Sequence, residues 1–198
     1  MPAVAEGIFI ACARCMTDIV ARARDVAEQA HGAIDHRRKY TGRPYVEHLE
    51  RVAQRVADVS NDPAAIAAAW LHDVVEDTSM THSEIKRLFG EDVAQLVFAL
   101  TDHKHTGMNR AQRKAVDRER LAQAAPSAQT VKLADLIDNA EDIVANDPNF
   151  GRVYLREMGD LLNVLTKGDP KLLSDARAIH ARLRRLLSSV ASFSGAKI

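Results

Sequence analysis

The chain is poor in thiols, in net charge and in long apolar runs, and each shortage excludes a class of protein. Its 198 residues include two cysteines, Cys12 and Cys15. A zinc site built on this Cys-x-x-Cys pair needs a second ligand pair at suitable spacing, and none follows. Both sit in an apolar helical stretch, where small core residues are the expectation and a redox pair the alternative. The 27 Lys and Arg are offset by 27 Asp and Glu, so no overall field draws the chain to nucleic acid or to a membrane surface. No apolar run approaches the length of a membrane span. Residues 1–10 lack a basic start, and Glu6 and Asp18 interrupt the apolar stretch. No secretory signal is expected, and the default is a cytoplasmic protein. No segment alternates apolar and polar residues for long, and no repeat or low-complexity linker is found.

What remains is a helical pattern. The hydrophobic fraction is 46% and the charged fraction 27%, as in a globular protein with a core of its own. Apolar residues recur at helical spacing over residues 3–31, then from Pro44 with Val46, Leu49, Val52, Ala53 and Val56 as one face. His48 falls one step off that stripe, at its edge. Asp62 and Pro63 start a third helix as cap and first turn. Thr81 and Glu84 form a capping box opening a short helix that ends at Phe89-Gly90, and residues 91–101 form another. A loop over residues 102–109, a strongly charged helix over 110–124, a helix over 128–145 and two amphipathic helices over 150–165 and 171–190 complete the chain. The expectation is one all-α domain spanning 1–198, a bundle of about eight to ten helices.

The chemistry gathers on the stretch Trp70-Leu71-His72-Asp73-Val74-Val75-Glu76-Asp77-Thr78. Taken as one helix, it places His72 over Glu76 and Asp73 over Asp77. One histidine and three carboxylates on an otherwise apolar helix need partners or a metal. His48 from the preceding helix, and Asp135 with Asn139 four residues on, offer polar groups from other helices. Two histidines and two aspartates make a mixed nitrogen and oxygen set suited to Mn²⁺, Fe²⁺ or Zn²⁺ rather than Ca²⁺, and the lack of thiolate argues against structural zinc. Four ligands leave positions for water and substrate oxygens, a catalytic arrangement. Glu76 and Asp77 lie where they can hold or deprotonate that water. Acids at a helix C-terminus oppose its dipole, a local conflict that points to function.

The pattern His…His-Asp…Asp resembles the signature of the HD superfamily of metal-dependent phosphohydrolases. Residues 37–48, Arg-Arg-Lys-Tyr-Thr-Gly-Arg-Pro-Tyr-Val-Glu-His, and 68–78, Ala-Ala-Trp-Leu-His-Asp-Val-Val-Glu-Asp-Thr, resemble blocks of the hydrolase domain of RelA/SpoT-type alarmone enzymes. Phe89-Gly90, Thr101, and Val131-Lys132-Leu133-Ala134-Asp135 with Asn139 follow in family order, so the likeness covers roughly residues 20–165. It implies an HD-type helical bundle with His48, His72, Asp73 and Asp135 as Mn²⁺ ligands and Glu76 and Asp77 as the pair that activates water. It implies hydrolysis of the 3′-pyrophosphate of ppGpp or pppGpp to GDP or GTP and pyrophosphate. Arg38 and Lys39 are the implied nucleotide contacts, and Asn139 lies in the implied substrate pocket. Lys104, Arg110, Arg113 and Lys114 fall where such hydrolases place phosphate-contacting residues, with a solvated charged helix as the alternative reading. Tyr154 falls where an aromatic approaches the ribose. The chain is of the size of the stand-alone small alarmone hydrolases.

Two departures stand out: Glu141 replaces a basic residue, and His36 precedes the Arg-Arg-Lys block. His31, His82, His103, His105 and His180 are expected to be surface or packing residues. The same machinery would serve ppApp-type alarmones or the 2′-phosphate of NADPH. A reading of another class is a non-catalytic alarmone-binding module, against which the intact ligands and the Glu76-Asp77 pair argue. The partner expected is a small nucleotide, without nucleic acid or membrane, and a homo-oligomer is compatible with the sequence.

Overall fold

The computed structural model describes the backbone of residues 5–102 and 106–194, and side chains over residues 19–102 and 106–189. The expectations for Cys12, Cys15, His103, Lys104 and His105 therefore lie outside the described residues. Nine helices form among those described: α1 Ala5–Ala33, α2 Val46–Ala57, α3 Pro63–Leu71, α4 Val74–Asp77, α5 His82–Leu100, α6 Arg110–Gln123, α7 Pro126–Asn146, α8 Pro148–Leu162 and α9 Pro170–Ser194. None of them is long and apolar enough to cross a membrane.

The chain divides into two compact units. The first comprises Met1–His36 and Pro44–Thr101, and the second Arg37–Arg43 and Asp102–Ile198. In the first unit α3 packs against α1, α2 and α5, and α4 against α1. The sequence of α3, Pro-Ala-Ala-Ile-Ala-Ala-Ala-Trp-Leu, is apolar all round, which marks a central helix. Its Ala67, Ala68, Ala69 and Leu71 are fully buried. Asp62 caps it as expected, accepting from the Ala64 N–H at 3.0 Å, with Pro63 in the first turn.

The stretch that follows departs from the expected single helix. Helix α3 stops at Leu71, His72 and Asp73 form a turn, and α4 begins at Val74. The cause is local: His72 Nδ1 donates to the Ala69 carbonyl at 2.8 Å. In an unbroken helix that carbonyl would take the N–H of Asp73. The site residues thus sit at a helix junction, where backbone is freer to aim side chains.

Thr81 and Glu84 form the expected capping box. The two helices expected on either side of Phe89-Gly90 run as one element with a kink, because Gly90 takes a φ of 84°. A residue with a side chain is strained there.

In the second unit α7 packs against α8 and α9, α8 against α9, and α6 against α7 and α8. Helix α7 is the most enclosed, burying Val131, Leu133, Ala134, Ile137 and Ala140 completely. Polar groups inside it are satisfied: Gln129 donates to the Leu121 carbonyl at 2.9 Å and accepts from the Lys167 N–H at 2.9 Å. Such pairing is what makes a buried amide tolerable.

Candidate functional site

Helix α2 is amphipathic, and His48 lies inside its buried face with no exposed surface. This corrects the expected edge position. A helical stripe wide enough to include Val52 and Val56 also takes in position 48. At the α3–α4 junction His72 is 2% exposed. His72 Nε2 lies 3.0 Å from Asp73 Oδ2, and His48 Nε2 lies 3.7 Å from the same oxygen. Ligand atoms of the three residues all fall within 4.8 Å of one another.

The orientation of His72 is informative. A carbonyl oxygen only accepts, so Nδ1 carries the proton that bonds to Ala69. In the neutral ring, Nε2 then presents a lone pair toward a carboxylate oxygen. Two lone pairs facing each other need a proton or a cation between them. A backbone-held Nδ1 with Nε2 turned to the centre is the usual arrangement of a metal-ligating histidine. The donor set, two imidazole nitrogens and a carboxylate, fits a divalent transition ion.

A second group adjoins the first. Potential ligand atoms of His31, His36 and Asp77 also lie within 4.8 Å of one another. His31 Nδ1 and His36 Nδ1 share a hydrogen bond of 2.9 Å, and His36 Nδ1 is 3.8 Å from Asp77 Oδ2. Tyr45 stacks on His36 with centroids 3.9 Å apart, and its hydroxyl donates to Asp73 Oδ2 at 2.5 Å. His31, expected as an ordinary packing or surface residue, is 1% exposed. Burial, assisted by the nearby His36, pushes its pKa down to about 4. Burial first and the Asp73 charge second raise the Asp77 carboxyl above its ordinary value. Glu76 is exposed, and the Asp77 side chain is 33% exposed. Tyr45 and His36 were missed as site members. The available signal was the place of Tyr45 in the Pro-Tyr-x-x-His block ending at His48, and of His36 directly before the Arg-Arg-Lys block.

The second unit gathers its own polar cluster. Arg38, only 8% exposed, donates to Asp142 Oδ2 at 2.6 and 3.1 Å and to Asn139 Oδ1 at 2.8 Å. Asn139 in turn donates to Asp135 Oδ1 at 2.5 Å, and Lys132 to Asp135 Oδ2 at 2.8 Å. Burial works against the Lys132 charge, but Asp135 and Asp102 outweigh it and raise its pKa well above the ordinary value. Tyr154 adjoins this cluster, and burial, reinforced by the Asp135 charge, raises its pKa. Lys39 is exposed, with Nζ 4.8 Å above the Tyr40 ring and 5.8 Å from that of Phe150. Tyr40 donates to Asp147 at 3.2 Å.

The other expected phosphate contacts among the described residues, Arg110, Arg113 and Lys114, have protein partners. Arg110 grips Glu157 with two bonds of 2.8 Å, and Arg113 donates to the Met108 carbonyl at 2.6 Å. Lys114 bonds Asp102 at 2.5 Å. Asp138 and Asp142 look like ordinary helix charges in the sequence, and Lys132 has no role there beyond its place in the motif. His180 donates to the Leu155 carbonyl at 2.8 Å and His82 packs edge-on to Phe98, both as expected for packing residues.

Residues 23–167 match the family model described as the HD domain. The chain belongs to the HD domain family. Among relatives of this HD domain is the guanosine-3′,5′-bis(diphosphate) 3′-pyrophosphohydrolase MESH1 of Drosophila melanogaster, 34% identical over 149 residues. That alignment covers 74% of this chain and 79% of the fly protein. The guanosine-3′,5′-bis(diphosphate) 3′-pyrophosphohydrolase of Aquifex aeolicus is 38% identical over 125 residues, 63% of this chain and 18% of that protein. A solved structure described as a metazoan orthologue of SpoT that hydrolyses ppGpp superposes with a TM-score of 0.74 at 28% identity, covering 83% of this chain and 94% of its own. A Listeria monocytogenes structure at 21% identity, with a TM-score of 0.57, shares the fold of the HD domain.

Proposed function

We propose that the chain is a divalent-metal-dependent pyrophosphohydrolase that removes the 3′-pyrophosphate of ppGpp or pppGpp. The observation that carries this reading is the convergence of His48, His72 and Asp73, with His72 turned by the Ala69 carbonyl so that Nε2 faces the centre. The relatives named for the same reaction supply the substrate class.

In this proposal His48, His72 and Asp73 are ligands, and Asp135 is the fourth by its place in the motif. Lys132 and Asn139, donating to separate oxygens of Asp135, fix the rotation of that carboxylate. The tyrosine hydroxyl on Asp73 Oδ2 does the same for Asp73. Mn²⁺ is the proposed ion, with Fe²⁺ or Zn²⁺ acceptable to the same donors. When bound, the cation supplies Lewis acidity, lowering the pKa of a water and offsetting phosphoryl charge.

Glu76 and Asp77 orient the attacking water and accept its proton. The raised carboxyl of Asp77 suits it to exchange protons nearer neutral pH than an ordinary aspartate. The water oxygen joins the phosphorus next to the ribose 3′-oxygen, that P–O bond breaks, and a proton passes to the 3′-oxygen. GDP or GTP and pyrophosphate result. Lys39 is the exposed cation that meets the nucleotide. Arg38 is largely spent on Asp142 and Asn139, so it orients Asn139 as well as adding charge. A nucleotide substrate is the ground on which a cytoplasmic location is proposed.

Product analysis with ppGpp, ppApp and NADPH side by side tests the substrate. Pyrophosphate and GDP from ppGpp are expected. Inorganic phosphate from NADPH alone would make the chain a phosphatase. Turnover of none of the three, with metal bound, would make it a binding module.

A further inference from the structure

Away from every residue discussed above as ligand, base or nucleotide contact, helices α8 and α9 enclose a cleft of about 580 Å³. Its volume is that of an ordinary small-molecule site. Arg152 and Arg156 enter it from α8, and Arg177 and Arg184 from α9, against one carboxylate, Asp160. Asp160 already faces Arg118 at 3.4 Å. Arg152 and Arg156 are four residues apart, and Arg177 and Arg184 two turns apart. Like charges stacked on one helix face oppose helix formation. Placing such a stripe on both facing helices compounds the cost, in a chain of zero formal net charge.

Several other cations of this unit meet a carboxylate. Arg182, on the same helix α9, meets Glu141 at 2.7 Å; Arg110 meets Glu157 and Lys171 meets Asp175. In the cleft, Arg152 donates to the Leu187 carbonyl at 3.0 Å and Arg177 to the Leu162 carbonyl at 3.3 Å. Each bond leaves most of the guanidinium fork available while fixing the side chain. His180 donates to the Leu155 carbonyl at 2.8 Å and closes the floor. That ring lies against Gly159, where a Cβ would come within 3.2 Å of Nε2 and 3.3 Å of Cε1. A side chain at position 159 would require the His180 ring to give by a few tenths of an ångström. Arg156 and Arg184 are exposed and make no side-chain hydrogen bond or ion pair among the described residues.

We propose that the α8–α9 cleft is a second anion site that binds a compact oligophosphate, of the class of pyrophosphate. Planar guanidinium forks match phosphate oxygens in pairs, and anchored forks lose little freedom on binding. No Phe, Tyr or Trp lines the cleft, and His180 supplies its one ring, so the four arginines rather than an aromatic platform set the ligand class. The site reads phosphate ahead of base.

Titration calorimetry of pyrophosphate into the full chain tests this, after metal is stripped with chelator and the chelator removed. The arms are the natural chain, Arg156→Ala/Arg184→Ala, His72→Ala and Arg185→Ala, an arginine of α9 outside the cleft. One binding event is expected at physiological salt. It should weaken roughly tenfold or more per cleft arginine removed and persist in His72→Ala and Arg185→Ala. GTP should bind the cleft no more tightly than pyrophosphate. Equal binding by Arg156→Ala/Arg184→Ala, equal weakening by Arg185→Ala, or no binding by the natural chain would overturn the proposal. So would a natural chain that ignores pyrophosphate but holds an RNA oligonucleotide or an acidic peptide through the same arginines.

Discussion

His72 Nε2 stands 3.0 Å from Asp73 Oδ2 while the opposite nitrogen of its ring is pinned to a backbone carbonyl. Both groups are thereby aimed at one point, and His72 does not rotate away without losing its bond to the buried Ala69 carbonyl. Metal binding at that point is the first expected outcome. His72→Ala should lose both metal and turnover, with metal per chain measured by elemental analysis. A His72→Ala chain that keeps a full equivalent of metal contradicts the assignment.

The water-handling pair should separate from the ligands. Glu76→Ala/Asp77→Ala should keep the metal while turnover falls by about 100- to 10,000-fold, the usual worth of general acid–base assistance. Metal content and the rate on ppGpp, measured on the same sample, give the answer. Near-normal turnover in this double variant would remove both residues from the mechanism.

Arg38 is a test of structure as well as of binding. It is buried against Asp142, Asn139 and Asp138, the last at 4.0 Å. Arg38→Ala should cost about 3–5 kcal/mol in urea unfolding, because carboxylates are left buried without their cation. Arg38→Lys should recover little of it, since an ammonium cannot reach Asp142 and Asn139 in two directions at once. Full stability in Arg38→Lys would show that charge alone suffices.

His31 sets a pH dependence in the metal-free protein. Burial holds its folded pKa at about 4, against 6.5 in the open chain. Between those values the unfolded chain binds a proton that the folded chain refuses. Stability from this residue is therefore complete above pH 6.5 and is lost as pH falls toward 4, by about 3 kcal/mol in total. His31→Gln should flatten that slope in unfolding curves taken across the window. An unchanged slope would place the acid sensitivity elsewhere.

The helical architecture was legible because periodicity and caps depend on near neighbours. Asp62-Pro63 and Thr81 with Glu84 mark helix starts in the sequence and do so in the structure, while Gly90, expected as a stop, marks a kink inside α5. The break after Leu71 was not legible, because it follows from a side chain taking its own helix's carbonyl, which periodicity does not register. His48 was misplaced at an edge for a related reason: position on a helical wheel does not say how wide the covered face is. The grouping of His31, His36 and Tyr45 depends on the chain folding back between α1 and α2, and residue spacing alone does not contain it. Arg38 looked like part of a surface basic run, since its partners Asn139 and Asp142 lie 101 and 104 residues away.

The most direct measurement is pyrophosphate released per ppGpp consumed by the purified chain, before chelation, after it, and after Mn²⁺ is restored. One pyrophosphate per ppGpp, abolished by chelator and recovered with Mn²⁺, is the predicted result. Release that continues unchanged in chelator, or ppGpp left intact by a chain with its metal in place, would contradict the account.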